Sequence, residues 1–563
     1  RWDSTAIRVA PHVKWRVRTV DQALEDVSDA FSPIRNGTSK FYVNDDSLEN
    51  DLWCTNAVGA AFGTTNALGL VVSGTNALCP LRSLQEVLDN YPVGAGDTVY
   101  VDTGTYTEPA VFTIDNAGTA TSPLTVRGST NGTHFQVSSR TGNAISFINT
   151  SDIDVSDIDV AGGLNAWYLE NASGISLTRV SAMSAASNGI LALNAADFAL
   201  RNALVVSNRA AGYRTGNNQG GARSIDFATF AANGDGIVNA GQGGLTVSNS
   251  ILVVTNGVVH TYPAQNATIT GDYNLYALAA PAALAYDSSS RATYTDLSQW
   301  AAKAGEGHSI LLDDPLFADA GNGDYHLASQ AGSWHGGAWT ADAETSWGID
   351  FADPDAVSGN NRANAGAYGG TERESKSYAS APALQVLTFA DGGTSSNGVT
   401  LRWTSRGIAA DAAVRISYFN GTEWVTVGQT TAGADGFYWW TNDEPSPESF
   451  WKVELLANPD VASTSEMFSF RPKPISYFVN DRYDAETDVY CSAPGAAENL
   501  GYRANSPLDS VQAVLDRFTL VGGDVIYVDT GEYALARPIE WTSVDSGDGA
   551  NGFVLLVGST NAA

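Results

Sequence analysis

The sequence predicts an all-β chain in which a parallel β-helix solenoid is followed by a β-sandwich, the pair standing in tandem repeat. Three observations predict it. First, between about Gly142 and Tyr276 a short pattern returns: Asn143-Ala-Ile-Ser-Phe147, Asn165-Ala-Trp-Tyr-Leu169, Asn188-Gly-Ile-Leu-Ala-Leu193, Ala211-Gly-Tyr213, Asp235-Gly-Ile-Val238 and Asn256-Gly-Val-Val259. It puts an apolar residue at 145, 167, 190, 213, 237 and 258, in steps of 22, 23, 23, 24 and 21. Alternating runs such as Ile153/Val155 and Ile175/Leu177 lie between. Short strands at a fixed 20- to 25-residue period, split by Asn, Gly and Ser turns, are stacked turns burying their apolar edges on one another. At ~4.8 Å per turn, roughly eight or nine turns make a rod on the order of 40 Å long. Second, Phe41-Tyr-Val-Asn-Asp45 returns as Tyr477-Phe-Val-Asn-Asp481, 436 positions on. Third, short alternating strands at sandwich spacing fill the stretch from about Ala381.

Taken in order, residues 1–37 read as the C-terminal part of a preceding sandwich, because Trp15-Arg-Val17 is echoed by Trp451-Lys-Val453. Residues 38–378 are the β-helix. Within it Leu84, Val87, Leu88 and Tyr91 lie at helical spacing behind Ser83, with Glu86 three residues on, which predicts a capped helix covering the first turn. Thr98-Val-Tyr-Val-Asp102 and Leu124-Thr-Val-Arg127 are the first rungs. Leu297 to Lys303 predicts another short helix, and the segment carrying Trp334, Trp339 and Trp347 is expected to close the rod as its last turns and cap. Val399-Thr-Leu-Arg-Trp403 to Phe450-Trp-Lys-Val-Glu454 are the strands of the sandwich, 379–473. Residues 474–563 start a second β-helix: Gly96-Asp-Thr-Val-Tyr-Val-Asp-Thr-Gly-Thr-Tyr106 is echoed by Gly523-Asp-Val-Ile-Tyr-Val-Asp-Thr-Gly-Glu-Tyr533. The 563 residues thus read as a window on a longer repeat.

With 43% hydrophobic and 16% charged residues the chain can bury large cores, and its formal charge of −31 repels a phosphate backbone, which excludes nucleic acid as a partner. No run of eighteen apolar residues spans a membrane. Cys54 and Cys79 flank one Gly-rich loop and are expected to form a disulfide, which suits an extracellular compartment, while Cys491 has no obvious mate.

Residues 40–375 resemble the bacterial secreted right-handed parallel β-helix proteins, related in fold to the pectate lyases. The resemblance is carried by Phe41 to Asp45, Gly96 to Tyr106, Asp272-Tyr-Asn-Leu275, Asp314-Pro-Leu-Phe317 and Asn361 to Gly370. It implies a right-handed β-helix, in a group that holds lyases, hydrolases and members with no known reaction. Residues 381–472 look like the Ig-like domain of Ser/Thr-rich cell-surface proteins, on Trp403, Gly436 to Trp440 and Ser465 to Ser469, which implies a surface spacer.

Asp157, Arg179, Arg201 and Arg223, spaced by 22, are expected to stack on successive turns, with Arg209 and Arg214 nearby. An arginine ladder of that kind grips a uronic-acid chain, and in a lyase an arginine abstracts the proton beside the uronate. The competing reading pairs these arginines with Asp154, Asp159 and Asp226. Asp319, Asn322 and Asp324 set oxygen ligands at calcium-loop spacing, and Asp45, Asp46 and Asp51 form a second such group. Calcium is the one cofactor the sequence suggests. The six histidines show no metal-ligand spacing. Sequons stand at Asn36, Asn131, Asn149, Asn171, Asn266 and Asn420. The expectation is a structural extracellular stalk, sheath or fibre, or an adhesin, whose partners are neighbouring copies of itself and surface polysaccharide. The alternative is a polysaccharide-binding or polysaccharide-cleaving β-helix.

Overall fold

In the computed structural model the chain divides into two compact units, Arg1–Tyr378 and Ala379–Ala563. The structure describes residues 9–21, 24–27, 32–217, 221–262, 267–279, 281–295, 297–360, 362–378, 382–390, 392–396, 398–409, 411–432, 435–483, 486–535, 537–547 and 552–561.

The first unit is a parallel β-solenoid of about eight turns. Two stacks of parallel strands build it. One, a straight sheet, runs through Ala110–Phe112, Ile145–Ile148, Trp167–Glu170, Ile190–Leu193, Ala211–Gly216 and Asp235–Asn239. Its register sets Ile145, Trp167, Ile190, Tyr213 and Ile237 opposite one another, as the apolar period requires. The sixth member differs: Ile237 pairs with His260, two residues beyond Val258, which restores a 23-residue step. The other sheet contains the long strands Ser151–Gly162, Ser173–Met183, Ala196–Val206 and Arg223–Ala231. Each bends near its middle at a left-handed residue, Asp157, Arg179, Asn202 or Phe227.

Alternation sends one side of every strand into a single core, where like rings stack: Phe112 on Phe147 at 5.0 Å, Phe147 on Trp167 at 6.3 Å and Phe198 on Tyr213 at 5.5 Å. At the corner leading into the bent sheet, Asn149, Asn171 and Asn194 all take left-handed φ, which asparagine tolerates best after glycine. Their amides form a ladder, Asn171 donating to Asn149 at 3.0 Å and Asn194 to Asn171 at 2.7 Å. Asn165 and Asn188 continue a second one from Asn143.

The N-terminal end is covered by α1 (Leu84–Asn90), whose Leu84, Val87 and Leu88 are buried. Ser83 caps it by accepting from Glu86 N, while the Glu86 carboxylate turns to Arg82, so only one half of the expected capping box forms. Cys54 and Cys79 are both buried free thiols, and the expected disulfide is absent. Each sits in its own backbone frame: Cys54 N donates to Asp102, whereas Cys79 closes a turn with Asn76 and Gly74.

The C-terminal end differs from expectation. What plugs the rod is α2 (Leu297–Ala304), which drives a fully buried Trp300 into the core. The Trp334, Trp339 and Trp347 segment is no end cap. Residues 313–378 instead double back along the flank as a flap. Asn202 Nδ2 donates to Ala367 O and Gly369 O, Gly366 N donates to Asn249 O, and Arg373 reaches Thr130 O. Tyr325 packs on Val206 and Ala231, and Ala352 and Ala363 pack on Phe227. Trp334 and Trp339 face each other across a hairpin at 5.3 Å, and Lys376 lies over the partly exposed Trp339 ring.

In the second unit, Ala383–Val386, Val399–Arg406 and Asp435–Trp440 form one sheet of a sandwich. Gly393–Ser395, Phe468–Phe470, Ser446–Leu455, Ala413–Phe419 and Trp424–Thr431 form the other, with Trp403 and Trp451 fully buried between them. Three parallel strands, Ser476–Val479, Val525–Val528 and Leu555–Gly558, with α3 (Val511–Arg517), then repeat the pairing of Lys40–Val43, Thr98–Val101 and Leu124–Gly128 in the first unit. In the first unit, Val9–Val13 pairs with Ser32–Arg35 and Arg16–Arg18 with Glu25–Val27, the antiparallel pairings of the sandwich strands 436 or 437 positions on.

Candidate functional site

The outer surface of the bent sheet holds the charged residues that the sequence singled out, but not as a ladder. The bend residues advance in steps of 22, 23 and 25, from Asp157 to Arg179, Asn202 and Phe227, so a constant spacing of 22 drifts off register. Asp157 and Arg179 do lie on neighbouring turns: Arg179 Nε and Nη2 donate to the two Asp157 oxygens at 2.6 and 2.8 Å. Arg201 falls one position short of the bend, opposite Thr178 and Asp226, and its guanidinium pairs with Asp226 and covers the Phe227 ring. Arg223 drops into the inward column opposite Phe198, where it is 3% exposed. There it donates to Asn239 Oδ1 at 3.3 Å and Gln242 O at 2.8 Å. The expected stack of three arginines is therefore corrected to one bidentate pair, one flanking pair and one interior cation.

These pairings decide the chemistry. The hydrogen bond to Asp157 raises the Arg179 pKa, which holds the guanidinium protonated and makes the neutral form that could accept a proton scarcer than in an ordinary arginine. Burial pushes the Asp226 carboxyl up, against the pull of Asn249 and Arg201. Burial and the neighbouring Asp152 raise Asp154. Among the described residues the surface thus offers paired charges and the hydroxyls of Ser156, Thr178, Ser224 and Thr246.

The expected calcium loop does not form either. Asn322 Nδ2 donates to Asp319 Oδ2 at 2.7 Å, turning donor against acceptor, and Asp324 faces two histidines. His326 supplies N–H and Nδ1 at 3.1 and 2.6 Å, and His335 Nδ1 lies 3.3 Å away. Burial lifts the Asp324 carboxyl, but the His326 hydrogen bonds outweigh it and leave the group below its usual range. Ser333 Oγ stands 2.8 Å from His335 Nε2, so Ser333, His335 and Asp324 line up as a relay. Ser333 is fully buried, however, and its hydroxyl donates to Asp342. Among the described residues no group of three His, Cys, Asp or Glu could hold a metal ion, and these donor sets do not fit calcium.

Near the N-terminus, Asp45 and Asp51 do serve the fold. Asp102 accepts from Leu52, Trp53, Cys54 and Thr103 N–H at 2.6 to 2.9 Å, Asn44 Nδ2 donates to Asp51 at 2.7 Å, and Asp45 accepts from Thr105 N. Burial, with Asp102 and Asp45 beside it, raises Asp51 to about 6. The cluster pins the long cap loop to the second rung.

Sequence reasoning missed a buried polar cluster at the other end. Glu306, 1% exposed, accepts from Tyr276 Oη at 2.6 Å, Trp300 Nε1 at 3.0 Å and Asn274 Nδ2 at 3.4 Å. His260 Nε2 lies 3.1 Å from the Tyr276 hydroxyl. Burial raises Glu306 and lowers His260 to about 3. The chain of polar atoms joins α2 to the last rungs. His260 standing on an apolar column was the one signal in the sequence that pointed to it. Of the sequons, Asn149 and Asn171 belong to the amide ladder, Asn131 donates to Asn50 O, and Asn266 lies outside the described residues.

A model of the family described as disaggregatase related matches residues 243–352, which hold the last rungs, α2 and the first hairpins of the flap. No curated protein matches. The solved structures that match include an alginate lyase from Paenibacillus sp. str. FPU-7, 17% identical, with a TM-score of 0.30, covering 34% of this chain and 72% of that one.

Proposed function

We propose that the chain is a structural extracellular repeat protein, in which β-helix rods joined by β-sandwich spacers make a stalk, sheath or fibre on or outside a bacterial cell. One observation carries this reading: a built cluster, not merely a motif, occurs twice. Asp529 accepts from Val489, Tyr490, Cys491 and Thr530 N–H at 2.6 to 2.8 Å, as Asp102 does from its loop. Asn480 donates to Asp488 as Asn44 does to Asp51, and Tyr533 to Asp529 O as Tyr106 to Asp102 O. A β-helix start rebuilt after a spacer supports length and reach, whereas catalysis needs one site. The ion-paired state of Arg179 and Arg201 weighs in the same direction.

The test is the mass of the native polypeptide under reducing, denaturing conditions, together with a lyase assay on uronate polysaccharides read by ultraviolet absorbance of unsaturated product. A species well above 59.1 kDa with no turnover is expected. Turnover that Arg179→Gln or Arg201→Gln abolishes would overturn the proposal in favour of a lyase.

A further inference from the structure

We infer that the first rungs of a β-helix copy are a docking seat for the β-sandwich that precedes them, locked by an Arg–Asp pair, here Arg471 and Asp524. The inference rests on the tandem reading and fails separately from it.

Arg471 belongs to the sandwich by its main chain, since its N–H donates to Ser395 O at 2.7 Å. Its side chain belongs to the β-helix. Nη1 donates to both Asp524 oxygens at 3.1 and 2.8 Å, and Nη2 to Tyr477 Oη at 3.2 Å and Thr519 O at 3.0 Å. Asp524 is fully buried and also accepts from Ile475 N and Val521 N at 2.8 and 3.0 Å. A buried pair whose remaining acceptors are all satisfied is the geometry in which losing one partner costs most. Around the lock, Arg517 on α3 donates to both oxygens of Glu448 in the sandwich at 2.8 and 2.6 Å. Arg503 reaches Asn420 O at 3.1 Å, and the Tyr502 hydroxyl fills the space where a Cβ on Gly421 would stand, 1.8 Å away.

The acceptor half of the lock recurs in the first copy. Asp97, 427 positions before Asp524, accepts from Ser39 N and Gly94 N at 2.8 and 3.0 Å, the counterparts of Ile475 and Val521. Arg35 stands 436 positions before Arg471. The outlying contacts do not recur, since Asn90 and Thr75 occupy the places of Arg517 and Tyr502. The aspartate with its two backbone donors is therefore the element common to both copies, and the partner inferred for it is a β-sandwich ending in arginine.

Hydrogen exchange with mass spectrometry on the full chain tests it. In the parent chain, peptides from Ser446–Phe470 and from Ser476–Val479, α3 and Val525–Val528 are expected to open together. Arg471→Met is expected to raise the opening constant of the β-helix peptides about a hundredfold or more, leaving Val399–Arg406 protected. The isosteric Asp524→Asn reads the same coupling should Arg471→Met not fold. Independent opening in the parent chain, or no change in both variants, would overturn the inference.

Discussion

Replacing Trp300 tests how the rod is closed. Trp300 is fully buried in the solenoid core, stacks on His260 at 5.1 Å and donates to Glu306 at 3.0 Å. Trp300→Ala removes the largest side chain at that end and leaves a cavity, at about 3–5 kcal/mol. It also leaves Glu306, already raised by burial, with one donor fewer. Trp300→Phe separates the two effects: most of the ring volume stays, and the lost hydrogen bond accounts for about 0.5–3 kcal/mol. The readout is local opening by hydrogen exchange, because a chain of several units has no single unfolding free energy. If α2 is the plug, Trp300→Ala deprotects the strands Val258–Tyr262 and Leu275–Leu278 along with α2, and Trp300→Phe does so less. Deprotection confined to α2 would refute the reasoning, since the rungs would then hold without it.

Asn171→Ala is expected to cost about 2–3 kcal/mol, from two ladder hydrogen bonds and an alanine forced to left-handed φ, and Asn171→Gly clearly less, read as local opening of Trp167–Glu170 and Ile190–Leu193 by hydrogen exchange. His134 is raised by its hydrogen bond to Asp159. That pair therefore stabilises fully below the unfolded value near 6.5 and loses its contribution as pH rises through the folded value. Both groups are nearly half exposed, so the effect stays under about 1 kcal/mol. NMR titration of the His134 ring in the parent and Asp159→Asn proteins checks the direction. Burial raises the Cys54 thiol and pushes Cys491 up to about 12, with Asp102 and Asp529 adding to it. Iodoacetamide near neutral pH is expected to label both slowly in the folded chain and quickly after denaturation.

The solenoid was legible because its contacts are local and periodic. Each rung touches the rung about 22 residues away, so an apolar residue that must face its neighbour has to recur at that interval, and Ile145, Trp167, Ile190, Tyr213 and Ile237 do so in register. The repeat was legible for a simpler reason: the same residues occur twice. What the sequence left undetermined depends on loop length and on single long-range contacts. One and three extra residues in successive turns carried Arg201 and Arg223 off the column of Arg179, and one of them into the core. The flap is held by hydrogen bonds such as Asn202 to Ala367, 165 positions apart, which impose no period on either partner. A cap at the end and a flap along the side ask for the same aromatic composition, and packing alone chose between them. The buried cluster at Glu306 escaped for the same reason: a carboxylate, a tyrosine and a tryptophan far apart in the chain become one group only when the last turn closes over them.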